Sequence, residues 1–137
     1  MGTINDNIFG LMEYKHRWVK SETINFFGIN SNVTIAAKAY KEKPITDEQR
    51  NSYTKLKSEL KMLSDKAKVE TIKYFSNVEK KQIVSESELN SILRLKTVLF
   101  MQDGETVLLF DSSLDDDNGI GIQLYPNIQV GPQDTFL

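Results

Sequence analysis

Thr46-Asp47-Glu48-Gln49-Arg50-Asn51-Ser52-Tyr53-Thr54-Lys55-Leu56-Lys57-Ser58-Glu59-Leu60-Lys61-Met62-Leu63 is the stretch whose reading decides the fold. Thr46 followed three residues later by Gln49 matches a capping box, in which side chain and backbone at a helix start satisfy each other reciprocally. Pro44 just upstream disfavours helix in the residue before it. Apolar residues then recur at Tyr53, Leu56, Leu60, Leu63 and Ala67, in alternating steps of three and four, which is the period of an amphipathic helix. The stripe resumes at Ile72, Phe75 and Val78 after one step of five, with no Gly or Pro between. The expectation is one helix of about 35 residues, bent near Val69 if bent at all, and ~50 Å long at ~1.5 Å per residue. That length exceeds the width of a small sheet, so a break into two helices is the alternative. Ser85 and Glu88 form a second capping-box pattern, ahead of a short helix over Leu89-Asn90-Ser91-Ile92-Leu93.

Outward from the helix, both flanks change period. Ile8 to Tyr14 leads through Lys15-His16-Arg17 into Trp18 to Phe27. Gly28 and the Asn30-Ser31-Asn32 cluster then punctuate the chain before Val33 to Tyr40. β-branched and aromatic residues between Gly and Asn clusters read as strands, and such close spacing favours an antiparallel meander, since parallel neighbours need a long crossover. On the other flank, Leu95 to Met101 and Thr106 to Phe110 bracket Gln102-Asp103-Gly104-Glu105, and Asp-Gly between apolar runs is a hairpin signal. Gly119 to Tyr125 and Ile128 to Val130 follow, joined across Pro126-Asn127, with Gly131-Pro132 ending the last strand. The predicted architecture is α+β: an antiparallel β-meander, one long helix, a second antiparallel β-meander, and the helix packed on one sheet face.

A length of 137 residues fits a single domain over 1–137, large enough for a core without staples. No cysteine is present, which removes disulfides, thiolate metal sites, iron–sulfur clusters and cysteine nucleophiles. One histidine leaves no basis for a multi-histidine centre, and no cofactor is expected. A net charge of −2 argues against general nucleic-acid binding. The start Met1-Gly2-Thr3-Ile4-Asn5-Asp6 has no signal-peptide pattern, and Asp6 stands where myristoylation wants a small hydroxyl residue. No apolar run is longer than the four residues of Val107-Leu108-Leu109-Phe110, far short of a ~20-residue membrane span. A cytoplasmic protein with no membrane or direct nucleic-acid partner is expected.

Candidate chemistry is sparse. The acidic stretch from Asp111 through Asp115, Asp116 and Asp117 to Gly119 fails the calcium-loop pattern in both registers, and reads as an acidic connection between two strands. Gly119-Ile120-Gly121 lacks the third glycine of a dinucleotide fingerprint, and a glycine pair in a strand marks a bulge or a close approach of another backbone. His16, between Lys15 and Arg17, reads as a solvated turn residue. Trp18 reads as core or, alternatively, as an anchor for a partner. Acidic residues are plentiful, but abundance alone does not indicate paired catalytic carboxylates. Charge is unevenly distributed. Residues 1–45 carry a balance of +2, residues 46–84 carry +3, and residues 85–137 carry −7. Such an acidic end can steer a basic partner, or can be neutralised by the basic helix.

Phe9-Gly10-Leu11-Met12-Glu13-Tyr14 with Trp18, the Phe26-Phe27-Gly28 turn, and the tail from Phe110-Asp111 through Asp117-Asn118-Gly119-Ile120-Gly121-Ile122 to Val130-Gly131-Pro132-Gln133-Asp134 resemble a family of small bacterial proteins catalogued only as a domain of unknown function. The resemblance covers nearly the whole chain, and its motifs are turn and strand residues, specific to a fold rather than a reaction. It implies no catalytic residue. Small bacterial domains of this kind are sometimes found near contact-dependent toxins, which implies an immunity role as an expectation.

The function expected is a non-enzymatic protein-binding module, an immunity-like inhibitor whose acidic surface at Asp115, Asp116 and Asp117 meets a basic partner such as a nuclease, with Trp18 as an anchor. The alternative is a small hydrolase or lyase using carboxylates and tyrosine in a cleft on the sheet face. A third reading is a structural subunit that self-associates through an exposed stripe on the helix.

Overall fold

The computed structural model describes residues 2–77, 82–83 and 85–137, with the backbone alone for 115–118. Four strands come first: β1 (Thr3–Asp6), β2 (Gly10–Tyr14), β3 (Trp18–Phe26) and β4 (Ile29–Ala37). Among the described residues three helices follow, α1 (Asp47–Ser58), α2 (Leu60–Asn77) and α3 (Glu86–Ile92), and then β5 (Leu93–Phe100), β6 (Thr106–Ser112), β7 (Asp115–Tyr125) and β8 (Gln129–Pro132). A single 3₁₀ turn, Gln133–Phe136, ends the chain. All eight strands form one sheet in chain order. Every neighbouring pair is antiparallel except β4 and β5, which run parallel. The fold is α+β. The parallel β4–β5 seam joins the two halves into one sheet.

Local chemistry explains the hairpins. Phe26 pairs with Ile29 across the two-residue turn Phe27-Gly28, and both turn residues have positive φ, 54° and 75°. Two left-handed residues make a type I′ turn, whose twist matches that of the flanking strands. Asn30-Ser31-Asn32, expected as turn residues, lie inside β4, and the Asn25 amide donates to Asn30 Oδ1 at 2.9 Å across the ladder. The Asp103-Gly104 hairpin forms as expected, with Gly104 at φ 93° and its N–H bonded to Met101 O at 2.9 Å. The acidic stretch is not a connection. Ser112 pairs with Asp115 across Ser113-Leu114, and residues 115–118 already belong to β7.

The helical region takes the two-helix alternative rather than the single helix, and the break is at Glu59 rather than Val69; Val78, the last residue of the expected stripe, lies outside the described residues. Glu59 has φ −115° and ψ 19°, yet its N–H still reaches Lys55 O at 2.9 Å and Leu63 N–H reaches Glu59 O at 2.9 Å. The ladder therefore passes through a kink. A physical cause lies one residue upstream: the Ser58 hydroxyl donates to Lys55 O at 3.1 Å, the side-chain back-bonding that bends helices. The Thr46 capping box forms in full, with Gln49 N–H on Thr46 Oγ1 at 3.1 Å and Thr46 N–H on Gln49 Oε1 at 2.9 Å. Ser85 caps α3 through Glu88 N–H at 3.3 Å.

One face of the sheet packs on the helices. Trp18, Ile35, Val98, Phe100, Leu108 and Ile122 join Leu56, Leu63, Ala67, Phe75 and Leu89 in the same core cluster. Gln49, fully buried, staples this layer to the seam. Its amide donates to Lys38 O at 2.9 Å and to Phe100 O at 3.0 Å, just beyond the last paired residues of β4 and at the end of β5. Two charged contacts brace the first half against α1. Asp6 accepts from Arg50 (2.7 Å to Nη2) and from the Ile8 and Phe9 N–H groups, at 3.0 Å each. Glu22 accepts from Tyr53 Oη at 2.5 Å, pairs with Lys57, and has Lys20 Nζ at 3.3 Å. On the opposite face, the C-terminal turn lies across Gly121, where an added Cβ would sit 2.5 Å from the Phe136 ring. The close approach of another backbone expected at the Gly119/Gly121 pair is found at Gly119, whose added Cβ would run into the Phe110 main-chain oxygen, whereas at Gly121 it is a ring that comes close.

Candidate functional site

The strongest feature is where the seam opens. β4 and β5 pair only from Thr34↔Thr97 to Ala37↔Phe100. Extending that register backward would place Asn30 to Val33 opposite Leu93 to Lys96, and those four pairings are missing. A bulge explains the parting. Leu95 faces Phe110 and Thr97 faces Leu109 on β6, so Lys96 is an extra residue in β5. Bulges bend the strand that carries them and increase its twist, and here Lys96 stands immediately before Thr97, where the pairing to β4 begins.

Beneath the opening, three rings fill the wedge. Phe27 stacks on Phe110 (centroids 5.8 Å apart, 22° between planes), and Phe26 lies 4.7 Å from Phe27 and 6.3 Å from Phe110. The turn backbone is held from both sides: Phe27 N–H donates to Ser64 Oγ at 2.8 Å, and the Asn90 amide donates to Phe27 O at 2.9 Å. These bonds hold a bulky residue in the left-handed region, which costs a non-glycine residue about 1–2 kcal/mol. The cleft above the rings measures about 400 Å³, within the usual range of roughly 300–1,000 Å³ for ligand pockets. Its lining contains two ionisable side chains, Arg94 and Lys96, both cationic, together with Asn30, Asn32 and Asn90. Lys96 lies 3.7 Å from Asp111, both well exposed, an arrangement worth roughly 0–1 kcal/mol.

A second pair of grooves flanks Tyr125, each about 540 Å³. The Tyr125 hydroxyl is buried without a hydrogen-bond partner among the described residues, and burial with the Glu59 charge pushes it up to about 12. Lys55 sits 4.6 Å over the ring. Met62 and Val69, both exposed on α2, line one groove.

Two carboxylates and a tyrosine packed at α1 are each held in one protonation state. Burial raises the Glu22 carboxyl, but hydrogen bonds from Lys57 and Tyr53 and the charges of Lys57 and Lys20 outweigh it, leaving it below its ordinary 4.5. Asp6 follows the same balance: burial opposes and the Arg50, Phe9 and Ile8 bonds prevail, leaving it below 3.8. Burial first, and then Glu22, push the Tyr53 hydroxyl well above its usual value. A carboxylate locked ionised and a phenol locked neutral suit a clasp between β3 and α1 better than proton transfer near neutral pH.

The residues singled out from the sequence fall elsewhere. Trp18 is buried (3% exposed), edge-on to Tyr14 at 5.1 Å, and its indole N–H donates to Lys43 O at 2.8 Å. It is a core residue and presents no surface for anchoring a partner. The side chains of Asp115, Asp116 and Asp117 lie outside the described residues. Of the other carboxylates in the acidic segment, Glu86 pairs with Lys68 at 3.0 Å and Asp111 lies beside Lys96. His16 is an exposed turn residue at φ 67°. Among the described residues no group of three His, Cys, Asp or Glu side chains could hold a metal ion, and no helix is long and apolar enough to cross a membrane. Sequence reasoning missed Arg94 and Lys96. A signal was present: Leu93-Arg94-Leu95-Lys96 alternates, whereas Val98-Leu99-Phe100 is continuously apolar, so the strand leaves a doubly covered position at its start.

No curated protein and no solved structure matches the chain. A family model matches residues 8–137, from the β1–β2 turn to the last residue, so the seam, the bulge and the aromatic wedge all lie within the matched region. The chain therefore belongs to the family described as Domain of unknown function (DUF6985).

Proposed function

We propose that the chain is a non-enzymatic protein-binding module whose contact site is the cleft between β4 and β5. The observation that carries this reading is the loss of four strand pairings inside a continuous sheet, which leaves two main-chain edges facing one another across an open space. Unpaired strand edges are templates for pairing with another chain, and a second polypeptide is the ligand best matched to them. The alternative, a hydrolase or lyase with catalytic carboxylates in a sheet-face cleft, gains no support from this cleft, which no carboxylate lines among the described residues; its carboxylates would have to be those of the grooves beside Tyr125, Asp103 and Glu105 or Glu59 and Glu70.

The test is to recover a partner from lysate of the source cell with the tagged full chain, then to follow amide hydrogen exchange in the purified complex. Slowed exchange at Asn30–Val33 and Leu93–Lys96 supports the reading. Unchanged exchange at those amides in a stoichiometric complex sinks it. The narrower form, an immunity-like inhibitor of a basic partner acting in the cytoplasm, needs the acidic segment as well. Charge reversal at Asp115–Asp117 then weakens the recovered complex at low salt. An unchanged affinity removes that narrower form while leaving the cleft.

A further inference from the structure

Resting on the reading of the cleft as a contact site, we propose that its occupant is an extended peptide segment of alternating apolar and acidic residues, added as a strand between β4 and β5. Three observations converge on this ligand.

The first is the pair of facing edges. β4 is bonded to β3 along Ile29–Ala37, and β5 to β6 from Leu93 to Phe100, so the free main-chain groups of Asn30–Val33 and Leu93–Lys96 point toward each other across the wedge. A small molecule can satisfy a few of them. Only an extended backbone presents donors and acceptors to both walls at the strand repeat of ~3.3 Å per residue.

The second is the two-sided character of the walls. Alternation along β4 and β5 puts Leu93 and Leu95 on the helix-facing side with the Phe26, Phe27 and Phe110 rings, and puts Asn30, Asn32 and Arg94 on the other. A strand between them meets an apolar surface with one set of side chains and a polar, cationic one with the next.

The third is charge. The ionisable side chains lining the cleft are Arg94 and Lys96. Among the described residues Arg94 makes no ion pair, and Lys96 has only the exposed Asp111 at 3.7 Å. A carboxylate on the added strand takes up both cations, and Arg94 offers it a bidentate fork.

The experiment is selection of a displayed random hexapeptide library on the full-length chain and, in parallel, on the variant R94Q/K96Q, whose substitutions lie at exposed side chains. The selected peptides are synthesised with and without backbone N-methyl groups, and titrated while backbone amide NMR shifts are recorded. The expected result is selection of alternating apolar and Asp/Glu sequences that shift the amides of Asn30–Val33 and Leu93–Lys96. Affinity should fall by about tenfold or more with R94Q/K96Q, and N-methylation should abolish binding. Enrichment of basic or uniformly apolar peptides, shifts confined to other strands, equal affinity for the variant, or indifference to N-methylation each overturns the proposal. So does selection that enriches nothing. A lysate partner that slows exchange at these amides while acidic peptides fail to bind overturns this inference alone; a partner that leaves them unchanged overturns the cleft reading with it.

Discussion

Phe27→Ala and Phe27→Gly remove the same ring but leave different backbones behind, and the difference tests whether the wedge is held as described. Phe27 is 2% exposed and touches both other rings of the wedge. Truncating a buried phenylalanine to alanine costs about 3–5 kcal/mol. At ~2.1 cal/mol/K per residue, the unfolding entropy of 137 residues is roughly 0.29 kcal/mol/K, so the melting temperature should fall by roughly 10–17 °C. The backbone term then separates the variants. At φ 54° alanine retains the left-handed penalty of about 1–2 kcal/mol, whereas glycine escapes it but gives up about 0.5–1 kcal/mol through its freer unfolded chain. Glycine should therefore be the more stable replacement by about 0.5–1 kcal/mol, although it removes one more carbon. Urea unfolding at pH 7, followed by circular dichroism, measures both midpoints and slopes. If Phe27→Ala proves the more stable variant at equal slope, or loses less than about 1 kcal/mol, the account of a strained turn locked by its ring is wrong.

Three further outcomes are expected. Gly121→Ala, whose Cβ would lie 2.5 Å from the Phe136 ring, should destabilise by about 1–3 kcal/mol. Adding Phe136→Ala should restore part of that loss, and strictly additive single-variant effects in denaturant titrations would contradict the contact. Gln49→Ala should lower stability by about 1–3 kcal/mol, because it leaves the part-buried Lys38 carbonyl and the Thr46 N–H without Gln49, while Phe100 O keeps the Lys38 N–H at 2.9 Å; a loss below about 0.5 kcal/mol would mean that the staple is dispensable. Asp6 and Glu22 have folded values below their ordinary 3.8 and 4.5, so the stability they contribute is present above those ordinary values and is lost as pH falls through the lowered folded ones. Urea midpoints at pH 7, 4 and 3 should fall more steeply for the natural chain than for Asp6→Asn/Glu22→Gln, and parallel profiles would remove both ion clusters from the acid response.

How much of this was legible depends on how local the determining chemistry is. Asp103-Gly104, Phe27-Gly28 and the Thr46/Gln49 box each announce themselves within a few residues, because a positive φ or an orphan N–H is satisfied by near neighbours. The kink at Glu59 was not legible, since no Gly or Pro marks it and its cause is a hydroxyl turned back onto Lys55 O. The acidic run was read as a connection because Asp and Asn favour turns, yet strand pairing carries Asp115 opposite Ser112. Trp18 could be narrowed only to core or contact, since burial depends on where the Lys43 carbonyl arrives. The cleft was invisible for the same reason. It exists through a pairing between residues 34–37 and 97–100 and through a bulge whose register only the partner strand defines.

The chain-order sheet also has a kinetic consequence. Six of its seven strand pairings are closed by connections of two to five residues, whereas Thr34 and Thr97 meet across 63 residues. Loop-closure entropy makes that single encounter roughly 2–2.5 kcal/mol more expensive than a four-residue turn. Each half can acquire its hairpins early, and the β4–β5 junction closes late, once the intervening helices have brought the halves together. The place where the finished molecule leaves its strands apart is thus also where its sheet is hardest to close.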